Sequence, residues 1–249
     1  MDILEIKKLS ELEDSYWWFV GRRAVVASVL ERFLGKPGQK FDILDFGSGT
    51  GGNFALLSRW GKVQGVEVSE LAIELSCIKH QDMFVKHLKP KDPALPFAES
   101  SFDLIVLLDV LEHIEDDLQI LSDLNSLLKE QGRLLLTVPA HPWLWSSHDR
   151  VLGHFRRYTT SDIRNKLELA GFEINYLTYF MFSISSLLIA HRFGLKVLGS
   201  RHGKQQVSYP PVPKWLNHIL VLLLKTEALL LCWGKLPFGT SILVLVTKK

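Results

Sequence analysis

The chain has 249 residues, of which 47% are apolar and 22% are charged, a composition typical of globular proteins that excludes a disordered or fibrous chain. Two cysteines are too few for a disulfide framework or a thiolate zinc site. The net charge changes sign along the chain, because residues 1–175 carry 20 Lys and Arg against 26 Asp and Glu, whereas residues 176–249 carry nine Lys and Arg against one Glu.

The N-terminal residues are acidic and lack the apolar core of a secretory signal, so we expect a cytoplasmic protein. The first predicted helix covers residues 15–34, and strands and helices then alternate. This alternation predicts an α/β fold with a parallel sheet and helices on both faces. The predicted strands are residues 41–46, 62–68, 82–86, 102–108, 133–138, 172–178 and 240–247. The predicted helices after the first are residues 53–60, 69–77, 115–129 and 160–170. Ser69 is the predicted N-cap of the helix over 69–77, and Thr160 or Ser161 that of the helix over 160–170.

Two segments do not follow this alternation. Residues 141–158 are rich in His, Trp and Arg and predict a long loop, which in a compact domain is often functional. Residues 180–238 are apolar with scattered cations, and we interpret them as a helical insertion between the last two strands. Their apolar runs are far shorter than the roughly 20 residues that span a bilayer. We therefore predict that these residues form amphipathic helices that lie on the inner surface of the membrane. The alternatives are that the helices cover the edge of the sheet or form a homodimer contact.

A glycine-rich turn connects the first predicted strand to the next helix. Gly47, Gly49 and Gly52 fit the dinucleotide pattern G-x-G-x-x-G, in which glycines let the backbone lie close to a ligand. Glu67 ends the second predicted strand, 20 residues beyond Gly47, where a carboxylate can accept both hydroxyls of a ribose. The pattern predicts a nucleoside-containing cofactor.

Asp45 distinguishes two classes of cofactor. Its carboxylate stands two residues before the first glycine and would repel the pyrophosphate of a dinucleotide. S-adenosylmethionine (SAM) has no phosphate and carries a sulfonium and an α-ammonium, both of which an acidic residue attracts. We therefore favour SAM over NAD, with an NAD-dependent dehydrogenase as the alternative.

Further segments resemble, in order, the motifs of class I SAM-dependent methyltransferases. They are DFGSGTG at residues 45–51, VEVS at 66–69, LPF at 95–97 with SFD at 101–103, DVLEHI at 109–114 and GRLLLTVP at 132–139. The resemblance implies SAM as the cofactor and one methyltransferase domain over residues 1–249, with residues 1–38 as an N-terminal helix region. It also implies a Rossmann-like seven-stranded sheet of order 3-2-1-4-5-7-6 whose last strand is antiparallel.

The resemblance assigns the cofactor to the ends of three strands and to the first helix. Glu67 would hold the ribose, and Arg22 or Tyr16 the carboxylate of SAM. Family members often have an acidic residue at the adenine, where this chain has Lys91; the adjacent Asp92 is the candidate here. The implied cofactor residues are Arg22, Asp45, Gly47, Ser48, Gly49, Glu67, Val68, Asp92, Leu108 and Asp109.

The segments PWLWSSHD at residues 142–149 and GHFRRYT at 153–159 resemble a subgroup of these methyltransferases, which implies a small-molecule or lipid-linked acceptor. We expect methylation at oxygen. A hydroxyl acceptor benefits from a base that works near neutral pH, and His148 and His113 are the candidates for this base. The candidate acceptor contacts are Trp143, Trp145, His154 and Tyr158, with core packing or loop scaffolding as the alternative.

The sequence also bears on metal binding, on nucleic-acid binding and on SAM binding without turnover. No metal site is expected, because nothing in the sequence fixes the geometry of His148, Asp149 and His154, although their types suit a metal. No nucleic-acid partner is expected, because the cations of residues 176–249 are dispersed among apolar residues. A SAM-binding module without turnover stays an alternative to an enzyme.

Overall fold

Seven strands form one sheet in the computed structural model, which describes residues 3–38, 40–81, 84–89, 94–187, 189 and 209–249. The strands are β1 (Phe41–Phe46), β2 (Gly61–Glu67), β3 (Phe84–His87), β4 (Phe102–Leu108), β5 (Leu128–Pro139), β6 (Phe172–Phe180) and β7 (Ser241–Lys248). Their order is β3-β2-β1-β4-β5-β7-β6, with β7 antiparallel to both neighbours and the remaining pairs parallel. The predicted topology is confirmed.

Helices cover both faces of this sheet. They are α1 (Ile3–Leu12), α2 (Trp17–Leu34), α3 (Phe54–Leu57), α4 (Glu70–Lys79), α5 (Asp117–Leu127), α6 (Ser147–Leu152), α7 (Thr160–Leu169) and α8 (Lys214–Leu231), with 3₁₀ turns at Leu111–His113 and Pro142–Leu144. One apolar core lies between the sheet and the pair α2 and α8, and a second lies between the opposite face and the pair α5 and α7. Because both faces are covered, the central strands β1 and β4 consist largely of buried apolar residues.

Local capping explains where some boundaries differ from the prediction. Ser69 caps α4 as expected, with its hydroxyl accepting from the N–H of Ala72. The cap of α7 is Thr159 rather than Thr160 or Ser161, because Thr159 and Asp162 form a reciprocal capping box. The predicted loop over residues 141–158 contains α6, which a capping box between Ser146 and Asp149 starts; six residues are too few to leave an apolar period in the sequence.

The N-terminal helix α1, which no pattern predicted, packs against α4 and reaches the glycine turn. Leu9 lies 3.8 Å from the position that a Cβ on Gly49 would occupy. Just after α1, the buried carboxylate of Glu13 accepts hydrogen bonds from Thr50 Oγ1 at 2.7 Å and from Lys79 Nζ at 2.5 Å. These contacts fix the N-terminal region over the carboxyl ends of the first two strands.

The described part of the predicted insertion is anchored by α8, which packs along α2. Gly21 permits the close approach, because a Cβ there would lie 2.1 Å from Leu224 Cδ1. Glu227 of α8 is buried and accepts from the backbone N–H groups of Phe182 and Ser183, so it joins α8 to the segment after β6. No helix among the described residues is long and apolar enough to cross a membrane. Residues 190–208, which carry several of the predicted cations, lie outside the described residues.

Candidate active site

The glycine turn joins β1 to α3 at the carboxyl end of the sheet. Gly47 and Gly49 have φ angles of 72° and 56°, which favour glycine. Position 47 also requires glycine for steric reasons, since a Cβ there would lie 2.6 Å from the side chain of Val110. The N–H groups of Gly47 and Ser48 both donate to the carbonyl of Val66, at 2.9 and 3.1 Å. The turn is thereby held against the end of β2.

Glu67, at the end of β2, points its carboxylate at this turn. Its Oε2 accepts from the N–H of Gly49 at 2.9 Å, and its Oε1 accepts from the N–H groups of Val68 and Ser69, both at 2.9 Å. The side chain predicted to hold the ribose therefore lies beside the glycine predicted to approach the cofactor.

Asp45 is the centre of a buried polar group whose hydrogen bonding is incomplete. It is 1% exposed, and burial raises the pKa of its carboxyl to about 7 although Arg22 nearby acts in the opposite direction. Among the described residues, the buried polar atoms around the turn that have no hydrogen-bond partner include Asp45 Oδ2, Ser48 Oγ, Asn53 Oδ1 and Arg22 Nε. Buried polar atoms are nearly always paired, so this set fits a polar ligand.

Arg22 of α2 reaches across to the end of β4. Its Nη1 donates to Asp109 Oδ2 at 2.5 Å and to the carbonyl of Leu108 at 3.3 Å. The other carboxylate oxygen of Asp109 accepts from Thr137 Oγ1 at 2.9 Å. Asp109 has a positive φ of 56°, a strained conformation for a non-glycine residue, which the surrounding hydrogen bonds hold in place.

The remaining predicted cofactor residues have different surroundings. Leu108 is buried in β4, whereas the side chain of Val68 is exposed just beyond Glu67. Asp92 lies outside the described residues. Tyr16, the alternative to Arg22, donates its hydroxyl to the carbonyl of Pro210 at 3.0 Å and therefore contacts the segment before α8. Their roles stay predictions.

A second buried polar cluster lies one turn beyond Asp109. Asp149 Oδ1 accepts from Arg157 Nε at 2.7 Å and lies 3.2 Å from His154 Nδ1. His154 Nε2 faces Glu112 Oε1 at 4.0 Å, and the rings of His113 and His154 meet edge to face with 4.7 Å between their centres. Burial and the neighbouring His154 lower the pKa of His113 to about 4. The cluster joins the 3₁₀ turn after β4 to the segment after α6.

The predicted acceptor residues before and on α6 are more accessible. Trp143 is 50% exposed and packs against the ring of His141, whose Nε2 lies 3.0 Å from the carbonyl of Gly239. Trp145 is half-buried, and His148 is half-buried on the first turn of α6.

The structure corrects the prediction that Tyr158 contacts the acceptor. Tyr158 is 1% exposed within the core that includes α5 and α7. Its hydroxyl donates to Asp117 Oδ2 at 2.9 Å, and Asp117 also pairs with Lys166 at 2.6 Å. A tyrosine in a polar segment gives the same sequence signal whether it points to a ligand or into the core, and here the buried Asp117 provides the partner.

Several residues of these clusters were not singled out from the sequence. Asn53 follows the glycine turn directly, so its place beside Asp45 is a consequence of the tight turn. Glu112 lies within the DVLEHI segment, but its burial depends on the return of the chain at His154. Glu13 is an ordinary surface acid by pattern, and only the tertiary structure brings it to buried partners. Asp149, by contrast, already stood in the sequence with His148 and His154 as a residue of metal-ligand type, and the structure pairs it with His154.

Comparison with known proteins agrees with this geometry. A family model described as a methyltransferase domain matches residues 19–177. A probable SAM-dependent methyltransferase of Mycolicibacterium smegmatis is 25% identical over 195 residues, which cover 77% of this chain and 70% of that protein. The demethylmenaquinone methyltransferase of Tropheryma whipplei is 30% identical over 138 residues, which cover 54% of this chain and about half, 52%, of that protein.

Solved structures share the fold at low sequence identity. A SAM-dependent methyltransferase of Thermotoga maritima superposes with a TM-score of 0.59 at 18% identity, covering 98% of both chains. The geranyl diphosphate C-methyltransferase of Streptomyces coelicolor, solved with Mg²⁺, geranyl diphosphate and S-adenosyl-L-homocysteine, superposes with a TM-score of 0.59 at 13% identity, covering 90% of this chain and 78% of that one.

The raised pKa of Asp45 predicts how stability depends on pH. In the unfolded chain this carboxyl ionises near its ordinary pKa of about 3.9, whereas in the folded protein it ionises only near 7. The wild-type protein therefore loses stability as pH rises from about 4 through 7, by on the order of 4 kcal/mol from this group. An Asp45→Asn variant lacks this loss. Urea unfolding at pH 5 and at pH 8 gives the change in the free energy of unfolding for each protein. The variant Glu130→Gln, at an exposed carboxylate, is the control and should behave like wild type. An equal change in wild type and in Asp45→Asn would contradict the prediction.

Proposed function

Because the chain belongs to the class I SAM-dependent methyltransferases, we propose that it methylates an oxygen of a small-molecule or lipid-linked acceptor, at the carboxyl ends of β1 and β4. The observation that carries the cofactor part of the proposal is the set of unpaired buried polar atoms around the glycine turn. The choice of oxygen as the methylated atom rests on His148 as a candidate base. SAM supplies a methyl group already activated on a sulfonium. The task left to the protein is to bind, orient and exclude water.

The residues around the turn have the chemistry that SAM requires. Asp45 offers a buried carboxylate to a cationic group, and a nearby cation would draw its pKa down from about 7. Glu67 offers two carboxylate oxygens to the ribose hydroxyls in place of the backbone N–H groups it now accepts from. Arg22 has a buried Nε with no partner among the described residues, which suits a carboxylate.

The family assignment excludes an NAD-dependent dehydrogenase. It does not decide whether His148 or His113 is the base. A general base works best when its pKa lies near the operating pH, and burial lowers the pKa of His113 to about 4. His113 is therefore a weak base in this protein. We propose that His148, on the first turn of α6, takes the proton of the acceptor hydroxyl, with Trp143 and Trp145 as the adjoining apolar contacts.

The outer face of α8 supports an acceptor carried by a lipid. The inner face packs on α2, yet the outer face is also apolar, with Trp215, Ile219, Leu222 and Leu229 exposed along one stripe and Trp233 exposed just beyond the end of the helix. A helix that is apolar all round is normally covered on both sides. Residues 176–249 carry nine cations against one acid. We propose that an anionic lipid surface covers this stripe, because each cation near such a surface contributes about 1 kcal/mol.

Replacing Glu67 tests the cofactor site. Glu67→Ala removes the proposed ribose acceptor and is expected to weaken SAM binding by about 1–3 kcal/mol, roughly 5- to 150-fold. Calorimetric titration measures this, with Glu70→Ala as the matched control, because Glu70 lies three residues further on with an 85% exposed side chain. A Glu67→Ala protein with normal melting and unchanged affinity would contradict the assignment.

Replacing His148 tests the base. His148→Ala is expected to lower the rate by about 10²–10⁴-fold, because the acceptor proton loses its base, while SAM affinity stays within about twofold. Release of S-adenosylhomocysteine with a cell lipid extract as acceptor measures the rate, and mass spectrometry of the product locates the methyl group. The exposed His218→Ala serves as the control. Full turnover in His148→Ala, or a methyl group on carbon or nitrogen, would refute this part of the proposal.

Vesicle sedimentation tests the lipid surface. The protein is expected to sediment with phosphatidylglycerol-containing vesicles at low salt and to be released as salt screens its cations. The double substitution Leu222→Ser and Leu229→Ser should weaken binding by about tenfold or more, since both leucines would leave the lipid. Leu169→Ser, an equally exposed leucine on α7 at the other face of the sheet, is the control. Protein that stays in the supernatant, or that forms a dimer through α8, would contradict the proposal.

A further inference from the structure

The cluster beyond Asp109 contains three side chains whose ligand atoms converge. Glu112, His113 and His154 each offer one such atom, and the three atoms lie within 4.8 Å of one another. Two imidazole nitrogens and one carboxylate oxygen form a ligand set that zinc takes in catalytic and related sites, with further positions open. The sequence suggested His113 as a base and His154 as an acceptor contact, so the convergence gives both residues a different role.

Glu112 is the part of the cluster that most needs a partner. It is 1% exposed, and its Oε2 has no hydrogen-bond partner among the described residues. Its Oε1 lies 4.0 Å from His154 Nε2, too far for a hydrogen bond. A buried carboxylate is costly unless it is paired or coordinates a metal.

Both histidines have the kind of hydrogen-bond partner that metal-ligating histidines usually have. His154 Nδ1 lies 3.2 Å from Asp149 Oδ1, so the other nitrogen, Nε2, faces Glu112. His113 has a hydrogen bond to the backbone of Gly153, which occupies one ring nitrogen. A ligating histidine typically donates its second nitrogen to a carboxylate or a backbone carbonyl, and here one histidine has each kind of partner.

The backbone also fixes the two segments that supply the ligands. The N–H of Phe155 donates to the carbonyl of Glu112 at 2.7 Å, and the N–H of His154 donates to the carbonyl of Asp149 at 2.9 Å. Arg157 holds Asp149 from the other side at 2.7 Å. The 3₁₀ turn and the segment after α6 therefore stay in register without help from a bound ion.

We propose that Glu112, His113 and His154 form a binding site for a divalent transition-metal ion, with Asp149 orienting His154. The two imidazoles favour zinc or a similar ion over Mg²⁺ or Ca²⁺, which prefer oxygen ligands. In a tetrahedral zinc site with bonds of about 2.1 Å, ligand atoms are about 3.4 Å apart, so the side chains close by roughly 1 Å on binding. No metal was expected from the sequence, because nothing in it fixes the geometry of His148, Asp149 and His154. The set proposed here is a different one, since only the tertiary fold brings Glu112 and His113 to His154.

Metal titration of the full chain tests the site without reference to activity. Chelator-treated protein is expected to bind one Zn²⁺ per chain by calorimetry, to gain thermal stability from it by mass action, and to give the visible absorption of tetrahedral Co²⁺ when Co²⁺ replaces zinc. Asp149→Asn removes the group that orients His154 and should weaken Zn²⁺ binding by about 10- to 100-fold. His154→Ala and Glu112→Gln each remove a ligand and should weaken Zn²⁺ binding by at least as much.

Two controls separate this site from incidental binding. His218→Ala and Cys77→Ser remove an exposed imidazole and an exposed thiol and should leave the Zn²⁺ affinity unchanged. Wild-type protein that binds neither Zn²⁺ nor Co²⁺ stoichiometrically would overturn the proposal, whatever the variants do. Equal Zn²⁺ affinity in folded His154→Ala and wild type, or loss of binding in Cys77→Ser, would also overturn it.

Discussion

A buried guanidinium holds the candidate active site together. Arg22 lies between the ends of β1 and β4, where it pairs with Asp109 and acts on the charge of Asp45. A buried guanidinium is costly unless its charge is paired, and the pairing with Asp109 ties α2 to the end of β4. The position of α2 in turn depends on its close packing against α8 at Gly21. Helix α8, which carries the exposed apolar stripe, therefore contacts the helix that supplies Arg22 to the cofactor site.

The end of β4 separates two buried polar networks. On one side, Asp109 belongs with Arg22 and the glycine turn, where unpaired polar atoms suit SAM. On the other side, three residues further along the chain, Glu112 belongs with His113 and His154, where an unpaired carboxylate oxygen suits a metal ion. The segment from Asp109 to His113 therefore contributes side chains to both networks.

Local patterns predicted the sheet and the glycine turn well, because these features depend on neighbours in sequence. The apolar run of β4 and the spacing from Gly47 to Glu67 are examples, and the family resemblance supplied the strand order. Other features depend on contacts between distant segments. The core position of Tyr158 requires Asp117, the burial of Glu112 requires the return of the chain at His154, and α1 is fixed by Glu13 on Lys79 and Thr50. None of these partners is visible from sequence spacing.

Asp45 is a buried carboxyl whose pKa is raised by burial, and in the proposed site it receives a cationic group of SAM. Calorimetric titration with SAM at pH 6.5, in buffers of different ionisation enthalpy, tests it most directly, because the binding of a cation would lower the pKa of Asp45 from about 7 and release its proton. We predict a release of about half a proton or more per SAM bound to wild type and none for Asp45→Asn, which should also bind SAM more weakly. Binding to wild type without proton release, or equal release in both proteins, would contradict the account.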